Sequence, residues 1–286
     1  VKKEGIPMAY KTLLTVVRSA AEAPAQIAAA AALAREHDAH LDVLCLGIDE
    51  VQMGYYFAGA DAVLQQTSIA MAQEKAEKLV AEAEALAAAE GVRYSVRGMV
   101  SQYGVLNEVV GQAARFADLV VMPKPYGPDA SLEKEAILEA ALFAGGAPVL
   151  VLPEGGLPAG FPQKAVIGWN ESTQALVAVR GALPFLQKAG FANVTVIDPP
   201  RHGAERADPG ERLSTLLDRH GVKAEVTILA RSMPKVSDVL TQHLRDTSAD
   251  LLVVGAYGHS RFREAILGGA TRDLLEACPV PVLMAH

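Results

Sequence analysis

The chain has 286 residues, 26 Lys and Arg against 33 Asp and Glu for a formal net charge of −7, and 51% hydrophobic residues. That length accommodates two domains or one large α/β domain, and it buries ample core without staples. Two cysteines exclude a disulfide scaffold, and the acidic balance argues against a broad nucleic-acid surface. The longest apolar stretch, Ile27 to Ala34, is far short of the ~20 residues that span a bilayer. No basic then apolar leader opens the chain, so the expectation is a soluble, cytoplasmic protein without nucleic-acid or membrane partners.

In chain order, strands are predicted at 10–17, 41–47, 92–98, 118–122 and 148–152. Helices are predicted over 24–37, 62–90, 102–116 and 131–144, and the second of these ends at Gly91, a C-cap residue. The stretch from Pro153 to Pro162, rich in Pro and Gly, reads as a linker. Beyond it the order repeats, with strands at 164–169, 193–198, 222–229, 250–255 and 280–285 and helices near 172–189, 209–220, 235–246 and 269–277.

The repetition extends to residues. Asp118-Leu-Val-Val-Met122 matches Asp250-Leu-Leu-Val-Val254, Gly91 matches Gly221, and Pro148-Val-Leu-Val-Leu-Pro153 matches Pro279-Val-Pro-Val-Leu-Met284. Strand–helix alternation with β-branched, apolar strands indicates parallel sheets covered by helices. The expected architecture is therefore α/β, two tandem doubly wound five-stranded parallel sheets, with domains at 8–153 and 163–286.

In such sheets ligands bind at the carboxyl ends of the strands, so the loops after the first and fourth strands matter most. The loop after the fourth strand of the second half runs from Gly255 through Gly258 to Gly268, Gly269, Ala270 and Thr271. Gly255 and Gly258 permit close backbone approach to a ligand, or simply make tight turns. Gly268, Gly269 and Ala270 bring free N–H groups to a helix N-terminus, which favours phosphate oxygens, and Thr271 adds a hydroxyl.

The spacing Gly-x2-Gly-x9-Gly-Gly, after the strand opened by Asp250 and before Pro279-Val-Pro-Val-Leu, resembles the nucleotide-binding signature of universal stress proteins. The opening Met8-Ala-Tyr-Lys-Thr-Leu-Leu and the segment Ala182-Leu-Pro-Phe-Leu186 resemble the tandem type, with two such domains in one chain. The resemblance implies a Rossmann-like fold akin to the adenine nucleotide alpha hydrolases, with pseudo-twofold domains pairing antiparallel through strands 148–152 and 280–285. A homodimer of tandem chains stays open. It also implies a stress-response regulatory module whose C-terminal domain binds ATP or AMP, with Mg²⁺ accompanying the nucleotide. By position, Gly255, Gly258, Gly268, Gly269 and Ala270 would hold phosphates and ribose. Val254 would pass beside the nucleotide and Val196 would line the adenine pocket. Asn170 stands where ATP-binding members usually carry Asp, and Gly269 replaces the usual Ser or Thr. Two alternatives are an interaction scaffold of the same fold without nucleotide and a slow ATP hydrolase, the latter lacking a clearly placed general base.

The first half has no such loop. Its fourth strand runs into Pro123-Lys-Pro-Tyr-Gly-Pro, and Glu135 and Ala136 stand at the matching helix start. Arg18 takes the place of the acidic residue after the first strand. Residues 1–153 hold 12 basic and 19 acidic side chains, whereas 154–286 hold 14 of each, so the whole excess lies in the half without a cradle. Cys45 and Cys278 read as core fillers and form no metal pair. His259 reads as a solvent-facing loop residue, while Arg261 and Arg263 either steer phosphates or pair with Glu264. No Walker A or nucleophile-elbow sequence occurs.

Overall fold

A computed structural model describes residues 9–49, 61–128, 130–199, 209–256 and 269–286. Two compact units divide the chain. The N-terminal unit comprises Tyr10–Met122 and Ser131–Ala147, and the C-terminal unit takes in Pro123–Ala130 and Pro148–His286.

Four strands form the N-terminal sheet: β1 (Thr12–Val17), β2 (His40–Asp49), β3 (Arg93–Gln102) and β4 (Leu119–Pro123). Their order is β3-β2-β1-β4, all parallel. The helices are α1 (Ala23–His37), the 30-residue α2 (Asp61–Glu90), α3 (Leu106–Ala114) and α4 (Leu132–Glu139). Central strands covered on both faces are continuously buried: Leu13 to Val17, in which Thr15 donates its hydroxyl to the Val121 carbonyl, and the wholly apolar Leu119 to Met122. The edge strand β3 is exposed at half of its positions and carries Arg93 and Arg97, a composition that discourages edge-to-edge pairing.

The C-terminal unit contains β5 (Val149–Leu152), β6 (Ala165–Gly168), β7 (Phe191–Ile197), β8 (Lys223–Leu229), β9 (Leu251–Gly255) and β10 (Val282–Ala285). Their order is β5-β10-β9-β6-β7-β8. β5 pairs antiparallel with β10, Val151 opposite Val282 and Val149 opposite Met284, as the resemblance implied. The other pairings of this unit are parallel. Its helices are α5 (Thr173–Gly181), α6 (Leu183–Ala189), α7 (Glu211–Arg219), α8 (Val236–Thr247) and α9 (Gly269–Ala277).

The sequence predicts one helix over 172–189, but the structure divides it at Ala182. Pro184 has no N–H to give a continuing helix and sits in the first turn of α6 instead. Likewise the helix expected over 102–116 begins as a 3₁₀ turn at Tyr103–Val105, and the one over 131–144 ends in a π turn at Ala140–Ala144.

The duplication reaches individual hydrogen bonds. Asp118 Oδ2 accepts the backbone N–H groups of Lys11 and Thr12 at 2.7 and 2.9 Å. Asp250 Oδ1 accepts those of Gln163 and Lys164, both at 2.9 Å. In each unit the Asp before the fourth strand thus ties down the start of the first. Gly91 and Gly221 close the helices before β3 and β8 in left-handed conformation, φ 66° and 77°.

Both thiols are buried and unbridged. Burial, with Glu84 and Glu82 nearby, pushes the Cys45 thiol up to about 12, and burial raises Cys278 as well. A thiol reagent needs thiolate and access. Ellman's reagent at pH 8 is therefore expected to label neither cysteine of the native protein within minutes and both after denaturation. Fast labelling of the native chain contradicts the core assignment.

Candidate functional site

Strand order reverses in the C-terminal unit between β6 and β9, which pair parallel from Ala165 opposite Leu251 to Gly168 opposite Val254. Open α/β sheets form their ligand crevice outside the carboxyl ends of strands at such a reversal. Asn170 lies two residues beyond β6, and Val254 and Gly255 end β9. Val196, buried on β7, stands opposite Ile228 of β8. The fold therefore gathers Asn170, Val254 and Gly255 at one end of the sheet, with Val196 one strand farther out.

Asn170 is held locally. Its Oδ1 accepts the Ser172 backbone N–H at 3.2 Å and the Ser172 hydroxyl at 2.7 Å. Ser172 in turn caps α5, its Oγ accepting the Ala175 N–H at 3.1 Å. With the carbonyl oxygen committed to this turn, the exposed side chain keeps its amide N–H groups for other partners. A carboxylate at this position would offer only acceptors.

Gly255 has a packing reason to be glycine. A Cβ there would lie 2.4 Å from the backbone N of Ala175 and 2.7 Å from the carbonyl carbon of Gln174. The first turn of α5 thus rests directly on the end of β9.

Gly258 and Gly268, with His259, Arg261 and Arg263, lie outside the described residues. Gly269 and Ala270 are the first two residues of α9, followed by half-buried Thr271. That helix is fastened by contacts the sequence did not suggest. Lys235 pairs with Asp273 at 3.0 Å, and this hydrogen bond raises the lysine's pKa. Lys124 Nζ donates to the Glu276 carbonyl at 3.2 Å, a cation at the negative end of the helix. The Arg272 guanidinium sits 5.1 Å from the ring centroid of buried Tyr126. The loop after β4 therefore lies against the helix that opens at Gly269, a use of Lys124 and Tyr126 with no local motif to reveal it.

Trp169 was also missed. Its indole N–H donates to the Pro209 carbonyl at 2.9 Å and its backbone N–H to Thr195 at 2.9 Å, fixing the strand end that leads into Asn170. As the only tryptophan, it reports on this crevice. Below it lies a polar network: Thr195 Oγ1 donates to Asn193 Oδ1 at 2.8 Å, Asn193 Nδ2 to Thr227 Oγ1 at 2.8 Å, and His243 Nε2 meets Asn193 Oδ1 at 2.9 Å. Burial lowers the pKa of His243, consistent with a neutral ring donating to that oxygen.

The N-terminal unit reverses between β1 and β4, where Leu13, Leu14 and Thr15 face Leu119, Val120 and Val121. Here ion pairs stand at the strand ends. Arg18 meets Glu133 at 3.4 Å, and Lys134 meets Glu22 at 2.6 Å. Ser131 caps α4 by accepting the Lys134 N–H at 3.3 Å. Among the described residues no group of three His, Cys, Asp or Glu side chains is arranged to hold a metal, and no helix is long and apolar enough to cross a membrane.

Residues 163–286 match the universal stress protein family. Universal stress protein Slr1230 of Synechocystis sp. is 34% identical over 68 residues, 24% of this chain and 23% of that protein. The match thus spans about a quarter of that relative's length. Among solved structures, a universal stress protein from Archaeoglobus fulgidus is similar over 96% of both chains, with TM-score 0.70 at 17% identity. A protein of unknown function from Pseudomonas aeruginosa covers 97% of this chain and 92% of its own, with TM-score 0.58 at 16% identity. At such identities the likeness establishes the fold. The match places the domain of residues 163–286 in the universal stress protein family.

Proposed function

We propose that the C-terminal unit binds an adenine nucleotide, AMP or ATP, outside the ends of β6 and β9, and that the chain is a nucleotide-responsive module of the stress response. The observation that carries this reading is exposed Asn170, whose oxygen is taken up by Ser172 and whose amide donors are left for a ligand, at the strand-order reversal of the half that matches the family. An amide donor at this position suits a ligand rich in acceptors, such as a phosphate or a purine ring. The N–H groups of Gly269, Ala270 and Thr271 in the first turn of α9 have no intrahelical acceptors and suit phosphate oxygens. Gly269 contributes no hydroxyl, and a hydrogen bond to a charged group is worth about 1.5–3 kcal/mol, so affinity is lowered rather than abolished. With ATP, Mg²⁺ accompanies the phosphates. Gly258 and Gly268 complete the proposed cradle, Val254 flanks the nucleotide, and Val196 lies toward the adenine.

Trp169 provides the test. Titration with AMP or ATP is expected to change its emission saturably, and saturating nucleotide at ~100 times Kd adds about 2.7 kcal/mol of stability. Gly258→Asp, which sets a carboxylate against phosphate, is expected to remove both responses while leaving the unliganded melting temperature nearly unchanged. Constant emission and melting at millimolar AMP and ATP would leave the scaffold without nucleotide as the better reading.

A further inference from the structure

In the N-terminal unit the outer face of α4 lies beside the turn that leads into α3, the Tyr103 hydroxyl donating to the Leu132 carbonyl at 3.3 Å. Three apolar side chains stand open to solvent there: Leu132 is 68% exposed, Tyr103 44% and Val105 41%. Glu135 and Glu139, one turn apart on α4, are half-buried. Burial first, and then the Glu135 carboxylate, raises the Glu139 carboxyl above its ordinary pKa. Burial also raises the Tyr103 phenol, and the carboxylates of Glu139, Glu133 and Glu135 add to it, which places them near the ring. Glu133 has Arg18, whereas among the described residues neither Glu135 nor Glu139 pairs with a cation.

Partly desolvated carboxylates are unfavourable without a cation, and clustered exposed apolar side chains mark a surface that gains by being covered. The other repeat supplies its own cation. Lys235, the N-cap residue of α8, pairs with Asp273 of the neighbouring α9 at 3.0 Å. The N-cap residue of α3 is Val105, which has no charge to offer α4. The acidic excess of the chain lies wholly in residues 1–153, so the surrounding field also draws a cation. We propose that the outer face of α4, with Tyr103 and Val105, is a docking surface for a basic amphipathic helix of a partner protein. Lys or Arg side chains one turn apart on that helix meet Glu135 and Glu139, and its apolar residues cover Leu132, Tyr103 and Val105. A twofold contact between two copies of this chain would instead set the same carboxylates against each other.

The probe is a synthetic helix, two repeats of Lys-Leu-Ala-Lys-Lys-Leu-Ala, and the control peptide carries Glu in place of each Lys. Binding to the full chain is followed through the anisotropy of a fluorescent label on the peptide. The basic peptide is expected to bind saturably, one per chain, and the acidic one not at all. Glu135→Gln with Glu139→Gln is expected to weaken binding about tenfold, and Leu132→Ser by about as much. Val105→Lys, which sets a cation where the other repeat has one, is expected to weaken it as well. Removing the same charge from the exposed Glu77 and Glu84 of α2, both to Gln, is expected to change affinity by less than about twofold. The replaced side chains are exposed or half-buried, and circular dichroism melting checks that each variant is folded. Absence of saturable binding overturns the proposal, as does equal weakening by the α2 pair or full binding by Leu132→Ser. Self-association of the wild-type chain that Leu132→Ser abolishes also overturns it, since a second copy then holds the surface. The titration uses no nucleotide, so failure of the nucleotide reading leaves this test intact.

Discussion

Glu22→Ala is expected to destabilise the N-terminal unit by about 3 kcal/mol in phosphate-free buffer, the lower end of the cost of removing one partner from a buried pair. The low end applies because Glu22 keeps 27% of its side-chain exposure, which admits some water to the lysine. The Lys134 ammonium loses this carboxylate while staying buried. Lys134 is 5% exposed and sits at N3 of α4, where the helix field opposes a cation. Replacing both partners, Glu22→Leu with Lys134→Met, removes the buried charge along with the attraction and is expected to cost less than Glu22→Ala alone. Urea unfolding followed by far-UV circular dichroism reads both variants, since Trp169 reports on the other unit. A loss below about 0.5 kcal/mol for Glu22→Ala would place it with ordinary exposed pairs and remove the electrostatic account.

The same pair shows what the sequence makes legible. Period, strand composition and the Asp118/Asp250 and Gly91/Gly221 matches disclose the duplicated α/β order, because each depends on near neighbours in the chain or on a recurring backbone need. Pro123 and Glu135 likewise disclose that the first half lacks a phosphate loop. What fills the place instead is not legible: Glu22 and Lys134 are 112 residues apart, and an isolated Glu and Lys carry no local signal. Lys124 and Tyr126 against α9 escape detection for the same reason, their partners Glu276 and Arg272 lying in the other repeat. Asn170 was readable as a departure from Asp, but its polarity toward solvent depends on Ser172 taking up its oxygen. The break at Ala182 was present in the sequence as Pro184, and apolar periodicity concealed it.

Gly255→Ala is expected to cost about 2 kcal/mol in the absence of nucleotide, within the range for forcing extra carbon into a filled space. The obstacle is backbone: Ala175 N lies 2.4 Å and Gln174 C 2.7 Å from the added Cβ, so no side-chain rotation relieves the contact. The first turn of α5 must move away from β9. Ser172 caps that turn and also holds Asn170, so the displacement reaches the crevice and is expected to weaken the proposed nucleotide binding indirectly. Gly258→Asp supplies the contrast, since it is expected to remove the proposed binding directly. Urea midpoints paired with Trp169 titrations separate the two glycines. A Gly255→Ala protein with the wild-type midpoint and a selective loss of AMP and ATP binding would make Gly255 a ligand residue and not the seat of α5.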